Sequence, residues 1–387
     1  MKNTILKIIC AIALTCLIFV SDLFANTTDA KFDSLITSGI NQIYNIKFPE
    51  AQKTFAVMRE EYPHHPAGKF FDAMIIWWKI VLDKDNEEYD DLFIDKLDSV
   101  IDMCDSILNE DPNNIDAMFF KGGSLGFEGR LYALRKKWFD AALSGKDALP
   151  LVYRVYEVDP NNKDVQLGFG IYNYYAEAIP EKYPFIKPVM IFFPGGDKEL
   201  GIKQLKDAAE HSKYAKVESR FFLMTLYYQF EEEYKIALNY AKGLVKDFPD
   251  NPIFEKYLGR TYVKLGNYYD ASLVFSDIRN KCNMPLPGYS DKIKREADYY
   301  IGVELEIKKD LDSAVTVFQE CINLSRKVDG DKESGFFINA VFYLGKIYNE
   351  MGKKELAVKK YKEVLELDDY KGSHERAGKE LQKLSQK

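Results

Sequence analysis

Along most of this chain the apolar residues return every three or four positions, in runs separated by short polar turns. Leu258 and Tyr262 belong to one run; Ala271, Phe275 and Ile278 belong to the next, after the turn at Gly266-Asn267. That period places the apolar side chains of each run on one face of a helix. Gly259 and Ala271 are small where the two helices, and the next pair, must approach closely. Gly266 stands where the chain reverses and a residue tolerant of positive φ is needed. One pair alone leaves an apolar face uncovered, so the pattern predicts helix pairs stacked in a row, all-α throughout.

The register recurs. Leu344-Gly345, Tyr348, Gly352, Ala357, Tyr361 and Val364 repeat it closely, and Ile301-Gly302, Ala314, Phe318 and Cys321 in shorter form. Phe221, Met224, Tyr228, Ala237, Ala241, Leu244 and Pro249 keep it without the glycine. Leu35, Gly39, Ala51, Phe55, Met58 and Pro63 carry it near the start. Helix pairs ending near Asp111-Pro112, Asp159-Pro160 and His211 keep the period, with longer helices or insertions across 115–213. The count is about eight antiparallel pairs from near residue 32, regular over 218–371, with a polar helix over roughly 373–386 as a C-terminal cap. With 47% hydrophobic residues among 387, the chain can bury a continuous core. Aromatics, at 14%, sit mostly at the packing positions just named and read as filler between helices rather than a ligand cage.

The set Leu258-Gly259-x2-Tyr262, Gly266, Tyr268, Ala271, Phe275 and Ile278 resembles the tetratricopeptide repeat (TPR), a helix–turn–helix unit of about 34 residues. The resemblance implies a right-handed TPR-type solenoid over 32–387, no buried catalytic centre, and a protein or peptide partner held in an inner groove. Phe120-Lys121-Gly122-Gly123, Gly126-Phe127-Glu128-Gly129-Arg130, Gly170-Ile171-Tyr172-Asn173-Tyr174-Tyr175 and Phe193-Pro194-Gly195-Gly196-Asp197-Lys198-Glu199-Leu200-Gly201 further resemble a group of exported bacterial TPR proteins of no assigned activity. That likeness spans Phe119 to Phe222 and supplies no catalytic residues.

The N-terminus reads as a targeting segment. Lys2 and Lys7 flank the start of an apolar stretch from Ile8 to Val20, and Ser21-Asp22-Leu23-Phe24-Ala25 offers a small residue for cleavage. This is the pattern of a secretory signal peptide over 1–25, cut after Ala25 and followed by a linker over 26–31. The stretch, about thirteen residues, is short for a membrane span. Acylation at Cys10 or Cys16 fits poorly because apolar residues continue beyond both, which leaves a retained anchor as the main alternative. The expectation is export to the periplasm or cell envelope. A formal net charge of −7 argues against nucleic acid as a partner. Beyond residue 25 only Cys104, Cys282 and Cys321 remain, without disulfide-framework or zinc spacing. Cys104 and Cys321 fall on core positions, and a Cys282–Cys321 bridge is open in an oxidising compartment.

The chemistry is sparse. Adjacent His64-His65, between Pro63 and Pro66, belong to a turn and do not converge on a metal. The glycines of 122–129 lack a preceding strand and a following Lys-Ser/Thr, and fit close helix packing followed by a turn into Arg130. In Pro194-Gly195-Gly196-Asp197, Asp197 reads as a helix N-cap and Glu199 as a first-turn acid, where a phosphate would otherwise sit. Neither a nucleophile–base pair nor a cofactor motif stands out, and the chain is expected not to be an enzyme.

Two features go beyond scaffold. The stretch 179–196 carries Pro180, Pro184, Pro188 and Pro194, which are expected to prohibit a regular helix, and the apolar run Val189-Met190-Ile191-Phe192-Phe193. It follows an aromatic helix over 164–178. Such a run needs cover: either it folds back on its own helix pair, or Tyr172, Tyr175, Val189, Ile191, Phe192 and Phe193 form an apolar patch for a partner, a lipid or a membrane contact through 185–193. The second feature is a strip on the inner face. Lys256 and Arg260 lie on the sixth pair, Tyr299 on the seventh, and Asn339, Phe342, Lys346 and Asn349 on the eighth. The last four share one helical face and suit a carboxylate or an extended peptide. Glu296 and Glu306 interrupt the strip, and its spacing departs from that of carboxylate-clamp TPR domains. Two function classes remain: a protein-interaction scaffold, and a binding module for a lipid or other apolar small ligand.

Overall fold

The computed structural model describes residues 30–190 and 194–386, with 189 and 190 in backbone only. The expected signal peptide, the side chain of Val189, and Ile191, Phe192 and Phe193 lie outside the described residues. All regular structure among the described residues is helical, in eight successive pairs. The first four are α1 (30–44) with α2 (Phe48–Glu61), α3 (Ala67–Leu82) with α4 (Asp90–Glu110), α5 (Ile115–Leu134) with α6 (Trp138–Val158), and α7 (Val165–Lys182) with α9 (Lys198–His211). A 3-10 turn (Pro184–Ile186) and the short α8 (Lys187–Met190) interrupt the fourth. The rest are α10 (Lys216–Gln229) with α11 (Tyr234–Asp247), α12 (Pro252–Lys264) with α13 (Tyr268–Cys282), α14 (Asp291–Ile307) with α15 (Leu311–Val328), and α16 (Gly335–Glu350) with α17 (Lys354–Glu366). Helix α18 (Ser373–Ser385) follows as the expected cap. Helix α1 begins inside the stretch expected as linker. The chain divides into two compact units, one up to Ser219 and one from Arg220, with the boundary inside α10.

A shared local chemistry closes the pairs. Between the two helices of six pairs, Ile46, Lys136, Glu232, Gly266, Lys309 and Gly352 have left-handed φ of +54° to +73°. Only two are glycine, so the backbone turns the same way where the sequence lacks it, at a strain of about 1–2 kcal/mol for an L-residue. The copy over 221–249 turns in this way at Glu232 although it lacks a turn glycine. Inside four pairs, Gly39, Gly259, Gly302 and Gly345 each lie against the ring sixteen positions on, Phe55, Phe275, Phe318 and Tyr361; a Cβ on any of them would come within 2.2–2.9 Å of it. Those rings are at most 1% exposed, and each stabilises its pair by roughly 2–3 kcal/mol through burial.

The middle of the chain departs from two expectations. Helix α5 runs unbroken through Gly129 and Arg130 to Leu134, so there is no turn into Arg130. Packing overrides the low helix propensity of glycine here: a Cβ on Gly122 would lie 3.3 Å from Leu151 Cβ, and one on Gly129 3.1 Å from Ala141 O. Arg130 is fixed by Trp77 and Phe127, each ring centroid 4.7 Å away, and by buried Glu218 at 2.7 Å, which also accepts from Tyr44 Oη at 2.9 Å. The prolines of 179–196 also fail to exclude helix. Pro180 lies inside α7, Pro184 opens the 3-10 turn and Pro188 lies in α8. Pro184 and Pro188 stand in the first turn of their short helices, where an N–H would have no intrahelical acceptor, whereas Pro180 near the C-terminal end of α7 gives up one bond of the ladder. The described end of this stretch folds back on α7: Tyr172 Oη donates to Pro194 O at 2.6 Å, and Asp197 N to Asn173 O at 3.0 Å. Asp197 caps α9, its Oδ1 accepting from Leu200 N at 2.8 Å.

Candidate functional site

Sites of conventional chemistry are scarce. No group of three or more His, Cys, Asp or Glu suited to a metal occurs among the described residues. His65 Nδ1 accepts from Ala67 N at 3.2 Å and its Nε2 faces Asp116 at 3.4 Å, which ties the turn to α5. Cys104, Cys282 and Cys321 are free thiols. Burial pushes Cys104 and Cys282 up to about 12, so both are protonated at neutral pH.

On the C-terminal unit, the first helices of successive pairs carry the expected strip, and its charges are largely spent within the chain. Arg260 on α12 forms a bidentate pair with Glu296 on α14, its Nη2 2.6 Å from Oε2. Desolvation alone would lower Arg260, but the Glu296 charge overrides it and holds the guanidinium charged. Lys346 on α16 reaches Glu306 on α14 at 3.0 Å, and Lys309 joins them at 3.1 Å. Both glutamates are at least 95% buried, where a carboxylate needs a charged partner. The acids that seemed to interrupt the strip are therefore its partners, and they join neighbouring first helices.

The remaining strip residues are polar or aromatic. Asn339 Nδ2 donates to Gly335 O at 2.8 Å, and its Oδ1 accepts from Arg376 Nη2 at 2.9 Å. Phe342 packs 5.6 Å from the Tyr361 ring, with the Arg376 guanidinium 4.9 Å over it. Lys256 is half-buried and Asn349 exposed. Tyr299 is half-buried, with Phe336 at 5.5 Å and Tyr343 at 6.1 Å between ring centroids. Of the apolar patch, Tyr172 is tied to Pro194, and Tyr175 is half-buried with its ring 5.2 Å from that of Tyr174.

Sequence reasoning missed a pocket of about 410 Å³ that brings together Tyr299 and Asn339 with Tyr268, Arg295 and Phe336. Tyr268 and Tyr300 had looked like repeat filler or gone unremarked. The cue was there in the adjacent Tyr299-Tyr300: two neighbouring helix positions point in different directions, so they cannot both fill one interface.

Residues 339–368, from α16 into the end of α17, match the family model described as tetratricopeptide repeat. Over that stretch the chain is similar to a tetratricopeptide repeat, and the described residues as a whole form a succession of helix pairs. No curated protein matches the chain. Similar solved structures include that from the functional characterization of Pseudomonas aeruginosa pilF, at 12% identity and TM-score 0.43, over 67% of this chain and 97% of that one. The human IFIT1 dimer with PPP-AAAA aligns at 14% identity and TM-score 0.41, over 82% and 68%. Naa15/Naa10 bound to HypK-THB aligns at 15% identity and TM-score 0.37 over 78% of this chain, which spans 37% of that one.

Proposed function

We propose that this protein is a non-enzymatic interaction scaffold of the bacterial cell envelope, binding a protein or peptide along the first-helix face of its last four pairs. The observation that carries the reading is the character of that face. Its strongest charges are cancelled by Glu296 and Glu306, and what remains is polar and aromatic: Asn349 is exposed, while Asn339 and Phe342 are half-buried beside Arg376. Such a surface recognises backbone and side chains of an extended segment rather than a point charge. Export rests on the pattern of residues 1–25.

Site-specific photo-crosslinking in cells tests it. A crosslinker at Asn349 is expected to give a discrete protein adduct in the envelope fraction, and one at exposed Lys359 on α17 none. Absence of the Asn349 adduct, or equal adducts from both positions, rejects the face; recovery of the chain in the cytosolic fraction rejects export. The competing class is a lipid-binding module built on 164–178 and 179–196. The engagement of Tyr172 by Pro194 O tells against it, and a native mass spectrum free of small molecules is expected.

A further inference from the structure

The pocket of the C-terminal unit has a lining unlike that of a packing defect. Five of its residues, Tyr268, Tyr299, Tyr300, Tyr343 and Tyr370, bring phenol groups to one space of about 410 Å³. Packing accounts for their rings, through Tyr299–Phe336 and Tyr300–Phe275 centroid distances of 5.5 and 4.7 Å. It does not account for their hydroxyls. Among the described residues, none of the Tyr268, Tyr299, Tyr300 and Tyr343 hydroxyls has a hydrogen-bond partner within the chain. None of them is among the buried polar atoms left without a partner, so these hydroxyls open onto the pocket, where solvent or a ligand can meet them. Burial raises the Tyr299 and Tyr300 phenols well above their usual range, so they stay protonated and able to donate at any physiological pH.

The charged residues that line the pocket are both cations, although Arg295 is paired with Asp329, and Glu296 and Glu306 act on Tyr300 and Tyr343. Arg295 and Lys371 border it and no carboxylate does, although the protein as a whole is acidic. Arg295 is held in place: Asp329 pairs with its Nη1 and also accepts from Ser334 N at 2.9 Å, and the guanidinium sits 5.2 Å from the Phe336 ring centroid. Gly335 and Phe336, the first two residues of α16, border the same space, and their amides have no intrahelical acceptor. A cationic guest is disfavoured chiefly by Lys371, since Arg295 already has Asp329 as its partner. The volume, within the range of small-ligand sites, admits one ring with its head group rather than a length of peptide.

We propose that this pocket binds a small anion with an aromatic body, its carboxylate or phosphate towards Arg295, Lys371 and the first turn of α16, and its ring against the tyrosine and Phe336 walls. The site goes beyond the scaffold reading and does not depend on it.

Calorimetric titration of the full chain with phenyl phosphate, benzoate, inorganic phosphate and benzylamine tests the proposal. At least one aryl anion is expected to bind in the micromolar to low millimolar range, more tightly than inorganic phosphate, and benzylamine not at all. The tighter of the two identifies the oxyanion. Tyr268→Phe/Tyr299→Phe/Tyr343→Phe keeps every ring and breaks no hydrogen bond within the chain, so it is expected to melt like the wild type and bind at least about ten-fold more weakly. Lys371→Gln is expected to weaken binding several-fold. The proposal is overturned if neither aryl anion binds by about 10 mM, if inorganic phosphate or benzylamine binds as well as the aryl anions, or if the triple variant keeps wild-type affinity.

Discussion

Gly170 on α7 and Gly201 on α9 lie face to face. A Cβ on Gly170 would stand 2.9 Å from Gly201 O, and one on Gly201 2.8 Å from Gly170 O and 2.6 Å from Tyr174 N. The obstacles are backbone atoms, which cannot rotate away. Gly201→Ala is therefore expected to destabilise the N-terminal unit by about 2–3 kcal/mol. Gly145, in mid-helix on α6 with open space around its Cβ position, gives the contrast: Gly145→Ala is expected to stabilise by about 0.5–1 kcal/mol. Urea midpoints of the two variants check the opposite signs.

The left-handed turn residues make a second contrast. Lys136 and Glu232 hold φ of +61° and +54°, and both are expected to gain about 0.5–1 kcal/mol on replacement by glycine. Gly266, at +73°, is expected to lose about 1–2 kcal/mol as alanine. Thermal midpoints that move the other way at Lys136 and Glu232 would show that the turn is not strained.

Glu296 is 3% exposed, so its charge depends on Arg260. Arg260→Ala is expected to cost about 3 kcal/mol, because it leaves the carboxylate buried and unpaired. Arg260→Met with Glu296→Met, which removes both charges and keeps the volume, is expected to recover to within about 1 kcal/mol of the wild type. A double variant as unstable as the single one would mean that the pair itself, rather than the relief of a buried charge, holds α12 to α14.

Asp298 is fully buried, with Arg279 Nε at 2.7 Å. Burial outweighs the arginine and holds its carboxyl up at about 7, against an ordinary value of 3.8. Between roughly pH 4 and 7 the folded chain thus binds more proton at this site than the unfolded one, and its contribution to stability falls as pH rises. Asp298→Asn cannot ionise. The stability of the wild type relative to this variant is expected to fall by roughly 2–4 kcal/mol from pH 4 to 8. Parallel urea midpoints across that range would contradict an uncharged Asp298 in the acid window.

Gly259 and Phe275 show what was legible in the sequence. Their contact lies within one pair, sixteen residues apart, so helical period alone brings them together. The left-handed turn at Lys136 was not legible, because lysine carries no sign that the backbone will force it there. Arg260 and Glu296 could be named but not joined, since their pairing depends on how one helix pair sits on the next. The pocket was hardest to see: the rings of Tyr299 and Tyr300 look the same in sequence whether their hydroxyls are engaged or idle. The prolines of 179–196 misled for a related reason, since Pro184 and Pro188 fall in the first turn of short helices, where proline is tolerated.

The pairing of Arg260 with Glu296 and of Glu306 with Lys346 also bears on how such a chain can evolve. The cation stands on the earlier first helix in one pairing and on the later in the other. Deleting α14 and α15 would set Arg260 opposite the repeat position held by Asn339 and leave Lys346 without its carboxylate. Tandem duplication of the same two helices would bring together acidic faces without the Arg260 and Lys346 partners, leaving only Lys309 beside Glu306. Each junction carries its own charge code, so this stretch cannot lengthen or shorten by whole repeats without rewriting buried residues on both sides of the cut.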